Sequence, residues 1–299
     1  MKAADWPFDA REARRRQQAG GAWEKTVALS HGVTLRLARI PAGEFVMGSA
    51  EGELDEYPAA RVSIHRPFWI GVSEITNEQF RRFDPSHNSG LFMKRSLDAN
   101  GPGVALDGPN QPVVRVSWQQ AMEFCQWLTR KTDARFLLPT EAQWEYACRA
   151  GSSTDLSYGD LEADFSGYAN VADKTLSRLH TTTGGVVVLQ EILSDTRFDD
   201  GAVATTDVAG YQPNAWGLYD VHGNAAEWTL SGYQPYPYPL DQRNSPAPSG
   251  RKVVRGGSFY DRPKRCRSAF RLSYPAWQRV HNVGFRVVCE EGDRLAGGR

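Results

Sequence analysis

The sequence predicts a single α+β domain with little regular secondary structure. Three observations carry that expectation: short alternating segments before residue 75, three marked helix starts between residues 76 and 140, and an irregular stretch from 150 to 250. The 28 Gly and 17 Pro are slightly above ordinary usage, and 9 Trp and 11 Tyr supply many rings with a polar edge. Together they suit a turn-rich fold built around large amphipathic side chains.

The elements follow in order. Residues 1–32 are charged and helix-prone, especially from Arg11 to Gln18, and read as an arm or packed helix before the domain. Thr34-Leu35-Arg36-Leu37-Ala38-Arg39-Ile40 alternates with the period of a half-buried strand. Pro41-Ala42-Gly43 turns the chain, and Glu44 to Gly48 returns it. Val62-Ser63-Ile64 and Phe68-Trp69-Ile70 are further short strands. Thr76 with Gln79, Ser117 with Gln120 and Thr140 with Gln143 have the spacing of capping boxes, in which a hydroxyl and an amide satisfy free N–H groups of a first turn. The second of these helices places Trp118, Ala121, Met122, Cys125 and Leu128 on one apolar face. After Arg149 the helical signal fades, and such long irregular chain inside a domain is usually functional or braced from outside. Val253-Val254-Arg255 and Gly284 to Val288 read as late strands. The domain is placed at 33–290, with a tail at 291–299.

Composition excludes several classes. Lys+Arg and Asp+Glu both number 35, so the net charge is zero and the electrostatic case for nucleic acid is absent. The longest apolar run, Val186-Val187-Val188-Leu189, is far short of the roughly 18 residues of a membrane helix. The amino terminus shows no apolar signal segment. The six histidines have no i,i+4 pairing and no neighbouring Cys, which argues against zinc.

Two loops are rich in oxygen donors. In 217–228, Asp220 and Glu227 flank Gly223, a pattern that turns carboxylates and backbone carbonyls toward one point, as a hard cation requires. Asn170 with Asp199-Asp200-Gly201 is the other. The same residue types also make turns without any metal. Downstream, Tyr260, Asp261, Arg262, Tyr274, Trp277 and His281 supply ring and charge chemistry of the kind found where surfaces bind partners; the alternative is that half of them are core. Gly256-Gly257-Ser258 follows a strand and could expose the Ser258 hydroxyl, but Gly-Gly-Ser is also a common turn and no base for the serine is evident.

A longer series resembles a known family. Ile40-Pro41-Ala42-Gly43-Glu44-Phe45-Val46-Met47-Gly48-Ser49, Glu74-Ile75-Thr76-Asn77 and Pro112 to Trp118 open it; Leu138-Pro139-Thr140-Glu141-Ala142-Gln143-Trp144-Glu145 and Asn214 to Asp220 follow; Val254-Arg255-Gly256-Gly257-Ser258 and Gly284-Phe285-Arg286-Val287-Val288 close it. In this order they resemble the formylglycine-generating-enzyme, or sulfatase-modifying-factor, family. The resemblance implies a C-type-lectin-like, formylglycine-generating-enzyme-type fold and bound Ca2+. One calcium would take the Asn170 and Asp200 side chains with the Val171 and Ala202 carbonyls. The other would take the Asp220 and Glu227 side chains with the Gly223 and Ala225 carbonyls.

The family's copper chemistry uses two cysteines, and a soft Cu(I) needs both thiolates. Here the first position is Asp261, followed by Arg262. The second falls on Cys266 by counting forward, or on Pro263 if aligned on the Arg267-Ser268-Ala269-Phe270-Arg271 segment. Either way copper lacks its pair. Catalytic candidates are limited to Ser258, Asp261, Cys266 and His281. The family's disulfide positions imply Cys148–Cys266 and Cys125–Cys289, which would place the protein in an extracytoplasmic, oxidising compartment, and in the cytoplasm if they do not form. The expected function is a calcium-stabilised binding or accessory module for a peptide, protein or glycan. The alternative is a divergent metal-dependent oxidoreductase acting on a thiol.

Overall fold

The Asp9 carboxylate accepts the Glu12 N–H and starts α1, Ala10–Gln18. This computed structural model describes residues 3, 5–92, 103–132, 134–178, 194–236 and 250–294. The apolar run at 186–189, His180 and the tail beyond 294 lie outside the described residues. Helix α1 buries Ala13 and Gln17, and the Gln17 amide donates to the carbonyls of Arg39 and Trp216. The segment read as a helical arm is half strand. β1, Glu24–Ser30, pairs antiparallel with β2, Val33–Ile40. The signal was the alternation through Val27 and Leu29, masked by the preceding Arg-rich run.

β3, Gly43–Met47, and β4, Ala60–Ile64, form a separate antiparallel pair. β5, Phe68–Gly71, lies beside β2. All three capping boxes form, starting α2 at Asn77–Arg81, α3 at Trp118–Thr132 and α4 at Glu141–Arg149. The buried face of α3 is Ala121, Phe124, Cys125 and Leu128, with Trp118 and Met122 only partly covered. Between α2 and α3 sits the small ladder of β6, Leu91–Phe92, and β7, Val104–Ala105. β8, Ala134–Leu137, follows α3. α5, Lys174–Arg178, is the one short helix in the irregular half among the described residues.

β9, Ala226–Gly232, β10, Arg251–Arg255, β11, Leu272–Pro275, and β12, Val283–Gly284, form a four-stranded sheet in the order β11-β10-β9-β12. β13, Val288–Arg294, enters the first sheet between β5 and β8, giving β1-β2-β5-β13-β8. The main apolar cluster joins α3, β5 and both sheets through Phe80, Phe124, Trp228 and Phe285. Among the described residues, no helix is long and apolar enough to cross a membrane.

Helix α4 is buried on all sides, charges included. Glu145 accepts from Arg149 Nε at 2.9 Å, from Arg255 Nη2 at 2.5 Å and from the Gly48 N–H at 2.9 Å. Glu141 accepts from Arg271 Nε at 2.7 Å. The capping pattern showed where α4 begins but not that its polar face is covered by arginines from β10 and from residues 267–271.

The expected disulfides are corrected: none of the four cysteines is disulfide-bonded, and all are buried. The His222 ring touches the Cys148 sulfur and the Cys266 backbone. Its Nδ1 donates to the Cys266 carbonyl at 2.7 Å, and its Nε2 lies 3.7 Å from Cys148 Sγ. Cys266 Sγ turns to the Asp261 carbonyl at 3.8 Å, and Cys289 Sγ faces Lys25 Nζ at 3.9 Å. Cys125 and Cys289 belong to the main apolar cluster as separate thiols. The argument for an oxidising compartment rested on these pairs.

Candidate functional site

The irregular half places three polar groups around one scaffold residue, Asn224. Asn224 and Asp220 both adopt positive φ, 55° and 56°, so the chain doubles back and turns both side chains inward. Asn224 Oδ1 accepts from Asn170 Nδ2 at 3.2 Å and from the Thr206 N–H at 2.9 Å. Its Nδ2 donates to Glu74 Oε1 at 3.2 Å.

On one side lies the Asn170–Asp200 loop. Asn170 Nδ2 also donates to the Ala204 carbonyl at 2.8 Å, which fixes the amide and leaves its buried Oδ1 without a partner. The Asp200 carboxylate accepts the N–H groups of Val171 and Ala202, each at 2.8 Å. The predicted donors are therefore adjacent. Burial pushes the Asp200 carboxyl up to about 7.

On the other side lies Asp220, whose Oδ2 accepts the Ala209 N–H at 2.7 Å while Oδ1 is buried and unpartnered. Burial raises its carboxyl to about 6. Gly223 has φ 88°, and a Cβ there would lie 2.0 Å from the Asn170 carbonyl oxygen, so only glycine allows this approach. Glu227 is turned elsewhere: both its oxygens accept from Arg286, at 2.7–2.9 Å, and Oε2 also accepts Trp144 Nε1 at 2.8 Å. Among the described residues, no three His, Cys, Asp or Glu side chains converge on a point. A cation here would rely on amide and carbonyl oxygens beside one or two carboxylates. Hard cations accept that mixture, and the orphaned buried oxygens of Asn170 and Asp220 fit it.

The third group surrounds Ser258. Gly257 has φ 64°, and a Cβ there would lie 2.5 Å from Cys266 Sγ, so the Gly-Gly turn sets Ser258 against this thiol. Ser258 Oγ donates to Asp261 Oδ2 at 2.7 Å and accepts from Asn282 Nδ2 at 2.7 Å. Burial raises the Asp261 carboxyl and pushes the Cys266 thiol well above the ordinary thiol range. The side chain at the family's first thiolate position is thus a buried oxygen group, and the nearby thiol resists ionisation.

The expected ligand pocket divides. Tyr260 and His281 lie 5.7 Å apart by ring centroid, with Phe92 stacked on His281 at 5.6 Å. His281 Nε2 is buried without a partner, and burial lowers its pKa. Tyr274 packs on Trp228. Arg262 is exposed and Trp277 is 72 % exposed, so these two stand at the surface rather than inside. Sequence reasoning missed Glu74, Phe92 and Asn282. Asn282 sits beside His281 and was findable; Glu74 and Phe92 arrive from far away in sequence with no local signal.

Comparison with known proteins bears on the family and the fold. The sequence model for the sulfatase-modifying factor enzyme 1-like domain matches residues 32–291. The formylglycine-generating enzyme of Streptomyces coelicolor is 29% identical, covering 87% of this chain and 90% of its own. An inactive C-alpha-formylglycine-generating enzyme 2 from Bos taurus is 26% identical, covering 91% of this chain and 93% of its own. Among solved structures, PvdO from Pseudomonas aeruginosa superposes with TM-score 0.69 at 24% identity, over 89% of this chain and 98% of that one. Treponema denticola variable protein 1 gives 0.67 at 22%, over 90% and 99%. These two show the shared α+β fold. With its motifs in order, its sheets in place and the family match spanning nearly all of it, the chain belongs to the formylglycine-generating-enzyme (sulfatase-modifying factor) family.

Proposed function

We propose that this family member is a calcium-braced binding or accessory module without the family's copper chemistry, and that it presents the surface around Tyr260, His281, Tyr274, Trp277 and Arg262 to a peptide, protein or glycan. The observation that supports this most is Asp261. It stands at the first thiolate position, holds the Ser258 hydroxyl, and leaves Cys266 as a lone buried thiol. Fold does not fix activity, and a relative carrying the word inactive in its name lies at similar distance to the active ones. The orphaned oxygens of Asn170 and Asp220 support calcium as the brace.

The test has two parts. Elemental analysis after expression with copper and calcium should find calcium and no stoichiometric copper. A cysteine-containing sulfatase peptide should show no conversion to formylglycine, while glycan and peptide arrays give binding that Trp277→Ala weakens. Stoichiometric copper with peptide turnover would refute the reading.

A divergent oxidoreductase is the second reading, favoured by the unpartnered His281 Nε2 and Asn282 Oδ1 near Asp261. It requires a harder metal such as iron, retained by the native chain and lost in Asp261→Ala. Iron-free protein after anaerobic loading would exclude it.

A further inference from the structure

Arg115 has φ 56°, a left-handed backbone that a long side chain adopts only where its surroundings hold it. Its N–H donates to the Val280 carbonyl at 3.0 Å, one residue before His281. The guanidinium runs along the chain that leads into Phe92: Nη1 donates to the Ser89 carbonyl, and Nη2 to the Leu91 carbonyl at 2.9 Å. Gly90 makes room for it, since a Cβ there would lie 2.7 Å from Arg115 Nη1. Phe92 in turn stacks on His281, and Arg115 acts electrostatically on the same ring. Backbone, carbonyls and glycine together carry this guanidinium to the edge of the Tyr260–His281 surface.

What Arg115 lacks is a counter-ion. A guanidinium has five N–H donors, and its two carbonyl bonds leave three unused. Burial lowers its pKa, and among the described residues no carboxylate opposes that effect. The one carboxylate of the expected pocket, Asp261, is turned to Ser258 and Arg265. Beside Arg115 stands His281, held neutral by burial and by the guanidinium, with its buried Nε2 unpartnered. Arg262 and Arg279 on the same face are exposed, and they influence Asp195 and Asp84 without forming ion pairs. A half-buried cation with open donors, next to an orphaned ring nitrogen, calls for an anion that also carries a neutral polar group.

We infer that the ligand of this surface is an acidic peptide, and that Arg115 recognises it by holding an Asp or Glu carboxylate on its unused N–H groups while a neighbouring peptide group bonds His281 Nε2. This rests on the binding reading above and names its ligand class. A peptide group both donates and accepts, so it serves a neutral imidazole nitrogen in either tautomer. Guanidinia without ion-pair partners recur at Arg262 and Arg279, near Tyr260 and Trp277 in sequence, so an extended chain with repeated carboxylates meets charge and rings by turns.

The experiment is selection of a random phage-displayed peptide library on the full chain. Fluorescence anisotropy then compares the best acidic peptide, labelled with fluorescein, with its counterpart carrying Gln for Glu and Asn for Asp. The native chain should enrich peptides with Asp or Glu and bind the acidic peptide about tenfold or more tighter than its amide counterpart, the worth of a charged hydrogen bond. Arg115→Met should bind both peptides alike, and Arg115→Lys should restore part of the preference. Near-ultraviolet circular dichroism checks that each variant is folded. A purely structural role for Arg115 would weaken both peptides equally and leave their ratio at the native value, which overturns the inference. Selected peptides without an acidic preference would overturn it too, as would binding confined to an oligogalacturonate tested on the same chain. If the native chain binds neither peptide nor glycan, the binding reading itself fails.

Discussion

Replacing Glu145 with Met tests how the buried charges of α4 are balanced. Glu145 is fully buried and compensates two cations, Arg255 at 2.5 Å and Arg149 at 2.9 Å, besides accepting the Gly48 N–H. Removing it leaves Arg149 with only carbonyl acceptors, at Thr154 and Gly48. Arg255 keeps carbonyls and a longer contact to Glu141 at 3.7 Å. Breaking a buried pair from one side costs about 3–5 kcal/mol, and stranding Arg149 while leaving Arg255 only its longer contact to Glu141 places Glu145→Met at the upper end. Arg255→Met is different. Glu145 then still holds Arg149 and the Gly48 N–H, and Glu141 still holds Arg271, so the loss is chiefly of guanidinium bonds to the carbonyls of 268–270. That variant should cost about 2–3 kcal/mol, within the range for hydrogen bonds from charged donors. Urea unfolding followed by tryptophan fluorescence, extrapolated to water, measures both. The expected order is Glu145→Met clearly worse than Arg255→Met. Equal costs, or a Glu145→Met change below about 1 kcal/mol, would refute the compensation argument.

Three further outcomes follow from the geometry. Phe124→Ala removes a buried ring that contacts Phe80, Phe83, Trp127 and Phe285, and should cost about 3–5 kcal/mol in the same unfolding assay. Gly257→Ala forces a side chain into left-handed backbone against Cys266 Sγ, so it should destabilise by at least about 1–2 kcal/mol; a Tm equal to the native chain would contradict the close approach. His87 is held neutral by burial, with Nε2 donating to the Val114 carbonyl and its ring edge-on to Phe80. Its folded pKa lies below its unfolded value, so the unfolded state takes up the proton first and stability falls as pH drops through 6.5 and below. His87→Phe should flatten that part of the pH profile, and an unchanged slope in unfolding experiments at pH 7 and 5.5 would count against it.

What was legible in the sequence was local. Thr76, Ser117 and Thr140 announce their helices because a capping box closes within three residues, and β2 announces itself through alternation. β1 was obscured because its strand pattern follows an Arg-rich helix and has only Leu29 fully buried. The two oxygen-rich loops were legible as loops, and Asn170, Asp200 and Asp220 were legible within them. The orientation of Glu227 was not, because it depends on Arg286 reaching it from another part of the fold. Glu74 is separated from Asn224 by 150 positions, and no spacing rule operates at that distance. The cysteines failed for the same reason: the family's positions implied pairs, but Cys148 Sγ faces His222 Nε2 and Cys266 Sγ faces the Asp261 carbonyl, contacts brought together by the fold rather than by any local spacing.

The place of β13 in the first sheet has a consequence for how the chain is made. β13 is an interior strand, with Val288 paired both to Ile70 of β5 and to Leu137 of β8. A ribosome therefore releases β5 and β8 long before the strand that separates them exists. Throughout that interval each offers an unsatisfied edge, one of them the apolar Phe68-Trp69-Ile70, and such edges recruit other chains. Premature termination ahead of residue 288 should yield aggregates rather than a shortened soluble domain, and slow translation of the irregular middle lengthens the hazard. Folding here waits on synthesis.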